Sequence, residues 1–399
     1  MSSPGPLSRY LDGALSIADF EHRIAAEEPK IHAWVEVRRE ESSHPGPLHG
    51  APFGVKDIVD VRGYRNTNGS HIFAHRVSGA DAALVELIRS KGGVVMGKTQ
   101  TTSFAYFDPA PTRNPRNPAH TPGGSSSGSA AAVACEMVPF AIGSQTQGSV
   151  LRPASFCGVT GFKPTFNALP VEGFMPFAPS LDTAGFFTAN ALDMRLLWLS
   201  LGLPAAAELP EDFGMIELPC DPVMQETFRN AVQILGHYGC RVRRIQPPGS
   251  FHKALDAVRT LQTFEGARTL RQLYAEHGAA IGAKLAELVR TGLAMPEDTR
   301  LNCLRTLELA RQEMDDVFQT YPVLLSPAAV GQAPEGLAST GDPRNNAYWT
   351  GLHTPAISIP MPVADGFLPM GLQMTAARGN DGFLLAAACH CHALLHAKA

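Results

Sequence analysis

The pattern of apolar and polar positions predicts helices and strands that follow one another along the chain. Apolar residues at helical spacing predict helices, and short apolar runs rich in β-branched residues predict strands. The predicted helices cover residues 14–40, 80–91, 129–138, 223–240, most of 254–320, and 381–396. The predicted strands cover residues 52–61, 94–98, 139–142, 240–245, 322–326, 355–360 and 367–374. This alternation of helices and strands indicates an α/β sheet.

Length and composition narrow the class of protein. The 399 residues are 44% hydrophobic and 18% charged, which is typical of a globular chain, and no internal repeat or linker divides them. The net charge of −4, without a dense Lys/Arg run, argues against a nucleic-acid partner. Seven dispersed cysteines indicate no disulfide framework and fit a reducing cytosol, so we expect a cytoplasmic protein. We find neither a signal peptide nor an apolar run of about 18 residues, so no membrane partner is expected.

Two loops of glycine and serine form the most unusual part of the sequence. They are Gly123–Ser129 and Gly143–Pro153, and they flank the small apolar run Ala130–Ala134. Glycine lets backbone amides approach a ligand closely, and serine hydroxyls can relay a proton or attack a carbonyl. Amide hydrolysis needs a nucleophile, a base and hydrogen-bond donors for the oxyanion. The loops therefore predict an amide-hydrolysing active site.

The base for such a reaction has to come from outside the loops, because they contain no histidine. Lys56 is the best candidate, since it interrupts an otherwise apolar strand. A neutral lysine can activate a serine, and burial lowers the pKa of a lysine. The alternative is a surface lysine paired with Asp57 or Asp60. The local pattern leaves both interpretations open.

Two other motif interpretations fail on context. Residues Gly124–Gly128 match the G-x-S-x-G nucleophile elbow, but an elbow needs a strand directly before it. Here the preceding residues, 112–122, are interrupted by prolines. A phosphate-binding loop needs a lysine after its last glycine, and Ser129 stands at that position.

Several motifs in order resemble the amidase signature family. The matching segments are Gly54–Asp57, Gly123–Ser129, Gly143–Pro153, Gly351–Pro355 and Pro369–Gln373. The resemblance runs from about residue 15 to 396. It implies a single domain over residues 1–399, with a mixed, twisted β-sheet covered by helices on both faces. The implied catalytic core lies at about 50–200 and 320–396, and a variable helical region lies at about 205–320.

The resemblance also implies a Ser-cisSer-Lys triad. The nucleophile falls on Ser149, the bridging serine with a cis peptide bond on Ser125, and the base on Lys56. Backbone amides from Thr146, Gln147 and Gly148 to Ser149 are expected to form the oxyanion hole. No cofactor or metal is implied. The expected partner is a small-molecule amide, and because relatives are often homodimers, a second copy of the chain is also expected.

The sequence departs from the family pattern in an informative way. Gln145 stands where an Asp is usual, Gln147 replaces a small residue, and Arg152 lies three positions after the nucleophile rather than two. This form resembles malonamidases, which act on small carboxylate-bearing amides. An arginine can bind a carboxylate through two nitrogens, so Arg152 is expected to bind an acid such as malonamate. The alternative is a structural arginine that donates to loop carbonyls. Gln147 is expected either to narrow the acyl pocket or to donate to the substrate.

Three further interpretations remain open. The chain could resemble the glutaminase partner of tRNA-dependent transamidation, which passes ammonia to another protein, although that branch generally keeps the Asp and the nearer Arg. It could also be a binding protein without catalysis, against which the intact Lys56, Ser125 and Ser149 argue. Finally, Cys389, His392 and His396 share a helical face where a metal could bind, but we favour an ordinary helix with histidines at its solvent edge.

Overall fold

A mixed eleven-stranded β-sheet forms the centre of the molecule in the computed structural model, which describes residues 4–40 and 44–397. The strands are β1 Trp34–Val37, β2 Pro52–Lys56, β3 Val94–Thr99, β4 Phe140–Gln145, β5 Thr160–Lys163, β6 Thr183–Thr188, β7 Asp212–Met215, β8 Arg241–Arg244, β9 Val323–Pro327, β10 Ala356–Pro360 and β11 Gly371–Ala376. Their order across the sheet is β1-β3-β2-β4-β6-β5-β10-β11-β9-β7-β8. Strand β2 is parallel to β3 and β4, and β7 is parallel to β8 and β9, whereas the other neighbours are antiparallel.

Helices flank this sheet. They are α1 Pro6–Leu11, α2 Ile17–Ile31, α3 Ala83–Ser90, α4 Ser127–Ala134, α5 Leu151–Cys157, α6 Ala191–Ser200, α7 Pro222–His237, α8 Gly249–Thr269, α9 Arg271–His277, α10 Ala283–Leu293, α11 Thr299–Thr320, α12 Arg344–Gly351 and α13 Asp381–Leu395. The predicted α/β fold with a mixed sheet between helices is therefore confirmed.

Several predicted element boundaries were wrong, among them the end of the helix predicted over 129–138, which ends at Ala134. The helix predicted over 14–40 ends at Ile31, because His32 takes a left-handed conformation with φ 55° and the chain then enters β1. The strand predicted over 52–61 ends at Lys56 and is followed by a turn. The last strand begins at Gly371 rather than at residue 367. These errors fall at chain reversals, which hydrophobic periodicity does not mark.

The two faces of the sheet bury different apolar clusters. Along β4, Phe140 and Ile142 pack into one cluster, whereas Ala141 packs into another that includes the alanines of α4. Since successive side chains of a strand point to opposite faces, the sheet is covered on both. Lys56 follows Val55, which packs into the same cluster as Phe140, so the lysine points toward the α4 face.

The long helices between residues 249 and 320 belong to a third apolar cluster. Phe251, Leu261 and Leu307 lie there with Leu324 of β9. The region at about 205–320, which was predicted to be variable and helical, also contains β7 and β8. It is therefore an integral part of the sheet. Helix α8 packs against α10, α11 and α12 and thereby brings its side chains to the loops that follow β4. In the described part of the chain, no helix is long and apolar enough to cross a membrane.

Candidate active site

Lys56 lies at the end of β2 with its side chain fully buried. Its Nζ donates to the Oγ of Ser125 at 2.7 Å and to the Oγ of Ser144 at 2.9 Å. Burial lowers the pKa of Lys56 to about 7, while the charge of Asp182 acts in the opposite direction. The alternative of a surface lysine paired with Asp57 or Asp60 was therefore wrong. Lys56 is therefore a buried lysine in contact with two hydroxyl groups.

The first glycine/serine loop places Ser125 over β2. The Gly124–Ser125 peptide bond is cis, as the resemblance implies, and α4 begins two residues later. Gly123 has a φ of +84°, and a Cβ there would lie 2.9 Å from the Cα of Pro153. Only glycine fits such a backbone conformation and such a close approach. The glycine thus lets this loop pack against the start of α5.

The second loop carries Ser149 in the turn between β4 and α5. Within the described residues, the backbone N–H groups of Gln147, Gly148 and Ser149 have no hydrogen-bond acceptor. A Cβ on Gly148 would lie 2.6 Å from Oδ1 of Asn346, so the turn needs glycine at this position. Unpaired backbone donors beside a serine make this turn a candidate for an oxyanion hole.

A small cavity lies between the two loops. Its lining residues are Ala105, Tyr106, Phe107, Ser125, Gln147, Gly148, Ser149, Arg152, Gln262 and Pro343. The serines of both loops therefore face one space, although no hydrogen bond joins Ser125 to Ser149 among the described residues. In enzymes without a bound substrate such contacts are often long and tighten only when the substrate arrives.

The side chain of Gln145 stabilises the turn that carries Ser149. Its Oε1 accepts from the backbone N–H groups of Val150 at 2.9 Å and Leu151 at 3.1 Å, where α5 begins. Its Nε2 donates to Oγ1 of Thr350 at 3.0 Å, and that hydroxyl donates to the carbonyl of Gln147 at 3.0 Å. A glutamine can accept and donate in this way, whereas an ionised aspartate could only accept. The departure from the family pattern at this position is thus structurally accommodated.

Arg152 lies in α5 with 2% of its surface exposed. Its Nε donates to the carbonyl of Thr340 at 2.7 Å, and its Nη2 donates to the carbonyl of Gly124 at 2.6 Å and to the Oγ1 of Thr340 at 3.2 Å. Two of its three nitrogens are therefore committed to loop groups, as in the structural alternative. Its Nη1 is buried and has no partner among the described residues. Burial lowers the pKa of Arg152 to about 10, well above neutrality, so it stays charged.

Comparison with known proteins agrees with this architecture. The family model described as Amidase matches residues 20–201. A glutamyl-tRNA(Gln) amidotransferase subunit from Thermus thermophilus is 31% identical over 409 residues, which cover 87% of this chain and 85% of that protein. The chain belongs to the amidase family. The corresponding protein of a Synechococcus species is 30% identical, with 88% of each chain covered.

Solved structures resemble this amidase over nearly its whole length. A crystal structure described as an amidase is 25% identical, with a TM-score of 0.85 and with 98% and 96% of the two chains covered. A glutamyl-tRNA(Gln) amidotransferase subunit from Thermotoga maritima is 25% identical, with a TM-score of 0.78 and with 93% and 89% covered. These relatives support the family and its amide chemistry rather than a specific likeness to malonamidases.

Several residues of the amidase site could not be found from sequence motifs. Ser144 is a second hydroxyl partner of Lys56. Asp182 accepts from the Oγ1 of Thr146 at 2.6 Å and from the backbone N–H groups of Phe177 and Ala178, and its burial raises its pKa to about 6. The position of Ser144 could have been inferred from strand pairing, because β4 lies beside β2.

Helix α8 supplies a further contact that the sequence could not show. The Nε2 of Gln147 donates to the Oε1 of Gln262, and both side chains line the cavity beside Ser149. The amide nitrogen of Gln147 is thus held by the protein. Its backbone N–H has no acceptor among the described residues, so the backbone of Gln147 is available as a donor in addition to the second N–H of its side-chain amide.

The C-terminal cysteine and histidines are placed apart from this site. Cys389 donates to the carbonyl of Ala191, and the rings of His392 and His396 lie 4.6 Å apart. His392 is buried, and this burial lowers its pKa to about 4. Among the residues that the structure describes, no group of three His, Cys, Asp or Glu side chains could hold a metal ion.

Proposed function

We propose that this amidase hydrolyses the amide bond of a small, carboxylate-bearing molecule through an acyl-enzyme on Ser149. The observation that carries the proposal is the buried Lys56, which has a pKa of about 7 and contacts the Ser125 hydroxyl beside the cavity that holds Ser149. A lysine with a pKa of about 7 is about half neutral at pH 7 and in that form can accept a proton, and the hydroxyl next to it can pass one on.

In the proposed reaction, protons first move from Ser149 to Ser125 and from Ser125 to Lys56. A proton later returns along the same residues to the leaving nitrogen. Neutral Lys56 accepts the proton of Ser125 while Ser125 accepts that of Ser149, and the Ser149 oxygen attacks the amide carbonyl. The proton then returns along the same path to the leaving nitrogen as the C–N bond breaks, and ammonia or an amine departs. A water molecule, deprotonated along this path, cleaves the ester and restores the serine.

The turn after β4 provides the electrostatic part of the proposal. The unpaired N–H groups of Gln147, Gly148 and Ser149 are suited to stabilise the negative charge on the carbonyl oxygen. They are fixed before the substrate arrives, because Gln145 caps α5 and Thr350 holds the carbonyl of Gln147. Donors that need no reorganisation stabilise a transition state more than mobile ones do.

Arg152 is the proposed anchor for the substrate carboxylate. Its Nη1 has no partner among the described residues, is buried, and belongs to a side chain that lines the same cavity as Ser149. A charged donor left unpaired in a buried place is costly unless a ligand pairs with it. Because its other two nitrogens hold Thr340 and Gly124, the anchor would contact the carboxylate through Nη1 alone.

The test of the function is product release from a panel of amides. The purified chain is incubated with malonamate, malonamide, carboxylated urea derivatives, glutamine and a neutral aryl amide, with Ser149→Ala as the blank. Release of ammonia or amine that favours the acid amides supports the proposal. Preference for the neutral aryl amide would leave the Ser149 chemistry standing and remove the carboxylate anchor, and no turnover at all would contradict both.

The role of Arg152 is tested by the selectivity that its removal changes. Arg152→Ala is expected to lower kcat/KM for malonamate at least tenfold more than for malonamide, because only malonamate carries the charge. The control is Thr340→Val, which removes the Oγ1 contact of Arg152 and leaves the guanidinium in place. Equal losses on both substrates in Arg152→Ala would show that the arginine acts only through the loop carbonyls.

A second candidate function is that of one component of an amidotransferase. The 31% identity to the Thermus thermophilus glutamyl-tRNA(Gln) amidotransferase protein over 87% of this chain favours it. Such a role predicts glutamine hydrolysis that rises strongly when a partner protein is added. Turnover of acid amides by the isolated chain, with no stimulation by partners co-purified from its source, would favour the free-standing hydrolase. Tight binding of amides without any turnover would instead support a non-catalytic binding protein.

A further inference from the structure

A second, mainly apolar cavity lies beside the catalytic residues. Its volume is about 130 Å³, similar to that of an apolar cavity that accommodates a molecule the size of benzene. Most of its wall is apolar and comes from the segment between β5 and β6. The principal apolar lining residues are Ile58, Val171, Phe174, Met175, Pro176 and Phe177. The proposed proton transfer and the carboxylate anchor do not use this space.

The apolar cavity and the polar cavity around Ser149 meet at the catalytic centre. Ala105 lines both of them. Ser144 lines the apolar cavity and Ser125 lines the polar one, and both hydroxyls contact the same Nζ of Lys56. The proton-transferring group therefore lies between the two spaces. An amide bond placed at Ser149 would have one half on each side.

The chemistry of the two cavities is opposite. Arg152, whose Nη1 has no partner among the described residues, lines the polar cavity, whereas Asp182 is the ionisable side chain that the described residues place on the wall of the apolar cavity. That carboxylate already accepts hydrogen bonds from Thr146, Phe177 and Ala178. A second anionic group would be repelled there, and a hydrocarbon group would gain by leaving water.

We propose that the substrate is an amide that joins a short carboxylate-bearing half to an apolar half, with the apolar half bound between Ile58, Val171 and Met175. This inference rests on the proposed function and specifies its substrate class. Two kinds of amide combine a carboxylate with an apolar group in this way. The carboxylate can lie on the acyl side, as in an N-alkyl amide of a short dicarboxylic acid, or on the amine side, as in a fatty N-acyl amino acid.

Two substrate series distinguish these two kinds of amide. The first compares malonamate with N-propyl- and N-hexylmalonamate, and the second compares N-acetylglycine with N-butanoyl- and N-hexanoylglycine. Each buried methylene is worth roughly a fourfold change in an equilibrium constant, so the hexyl or hexanoyl compound of one series is expected to show a kcat/KM at least tenfold above its short parent. Product is measured by chromatography and mass spectrometry of the released amine or acid.

A cavity-filling variant tests where the apolar half binds. Val171→Trp is expected to lower the ratio of kcat/KM for the long substrate to that for its short parent at least tenfold, because the indole occupies the space. The matched control is Val77→Trp, at a valine that is 57% exposed and outside both cavities, and this variant should keep the ratio. If Val171→Trp does not fold, the two substrate series with the wild-type protein still test the preference for an apolar half, and the absence of any gain still overturns the inference.

The outcomes separate the two proposals. Turnover of malonamate or N-acetylglycine without a gain from the longer chains, in either series, would overturn the apolar-half inference and leave the proposed hydrolase intact. A gain in one series that Val171→Trp leaves unchanged would also overturn it, because the apolar group would then bind elsewhere. No hydrolysis of any short or long acid amide would contradict the proposed function itself.

Discussion

Two fully buried lysines, at the ends of two strands of the same sheet, show what distinguishes a base from a structural cation. Lys56 ends β2 and Lys163 ends β5, and burial lowers the pKa of each to about 7. Their partners differ. Lys56 contacts the hydroxyls of Ser125 and Ser144, whereas Lys163 donates to the backbone carbonyls of Pro164 at 2.8 Å and Thr354 at 2.6 Å.

The two sets of partners differ in whether they can exchange a proton with the lysine. A hydroxyl can both give and take a proton, whereas a carbonyl can only accept a hydrogen bond. The hydroxyl partners of Lys56 also line cavities, and neither Pro164 nor Thr354 is among the residues that line the described cavities around the site. A lowered pKa alone therefore does not identify a catalytic lysine, and the proposal for Lys56 depends on its partners and on access.

The sharpest test of this comparison is to replace both lysines in the same way. Lys56→Met is expected to lower kcat/KM by about 10³-fold or more, in line with the loss of a general base. Lys163→Met should leave kcat/KM within about threefold of the wild type, because it touches no proposed catalytic group. Steady-state kinetics on malonamate, with folding checked by circular dichroism, measures both. Equal losses of kcat/KM in the two variants would contradict a role as base that belongs to Lys56 and not to Lys163.

The pH dependence of activity tests the neutral form of Lys56. Protonated Lys56 cannot accept a proton, so kcat/KM is expected to be level above pH 7 and to fall about tenfold per pH unit below the lysine's pKa of about 7. The measurement is a pH profile of kcat/KM between pH 5 and 9 with malonamate, whose carboxylate stays ionised throughout. A profile that is flat down to pH 5 would exclude a lysine with this pKa as the base.

Asp182 offers a smaller and more specific change. Its charge raises the pKa of Lys56, so Asp182→Asn is expected to move the acid limb of the profile to lower pH. The matched control is Thr183→Val, which removes a neighbouring hydroxyl that donates to the carbonyl of Leu181 and leaves the hydrogen bonds of Asp182 in place. A limb that moves equally in both variants would point to the loop rather than to the charge.

Lys163 is expected to affect the free energy of unfolding rather than the activity. Between about pH 7 and 10 the folded protein holds this lysine neutral while the unfolded chain keeps it protonated. The unfolded state then binds more protons, so the stability of the wild type relative to Lys163→Met should rise with pH by up to about 1.4 kcal/mol per pH unit. Urea unfolding of both proteins at pH 7 and 9.5 measures this. A constant difference would show that Lys163 stays charged when folded.

The sequence was most informative where function constrains short segments. Lys56, Ser125 and Ser149 lie in motifs, and the structure brings two of them into contact and all three to the Lys56 end of β2. It was least informative for contacts between distant segments. Asp182 meets Thr146 across 36 residues, and Gln262 meets Gln147 across 115. No local pattern encodes such pairs, because the fold of the whole chain creates them.

Element boundaries failed for a related reason. The alternation of Trp34, Val35, Glu36 and Val37 is a strand signal, but the apolar periodicity before it carried the helix prediction past Ile31. The role of Arg152 was also undetermined by spacing. Only the structure shows that Thr340 and Gly124 occupy two of its nitrogens, while Nη1 has no partner among the described residues.

The central claim, an acyl-enzyme on Ser149, is tested most directly by trapping it. The wild-type chain is mixed with an excess of a substrate that it turns over and quenched in acid within the first turnovers, and its peptides are analysed by mass spectrometry. We predict the mass of the acyl group on the peptide that contains Ser149, and no adduct in Ser149→Ala. An adduct on another residue, or wild-type turnover by Ser149→Ala, would contradict this claim.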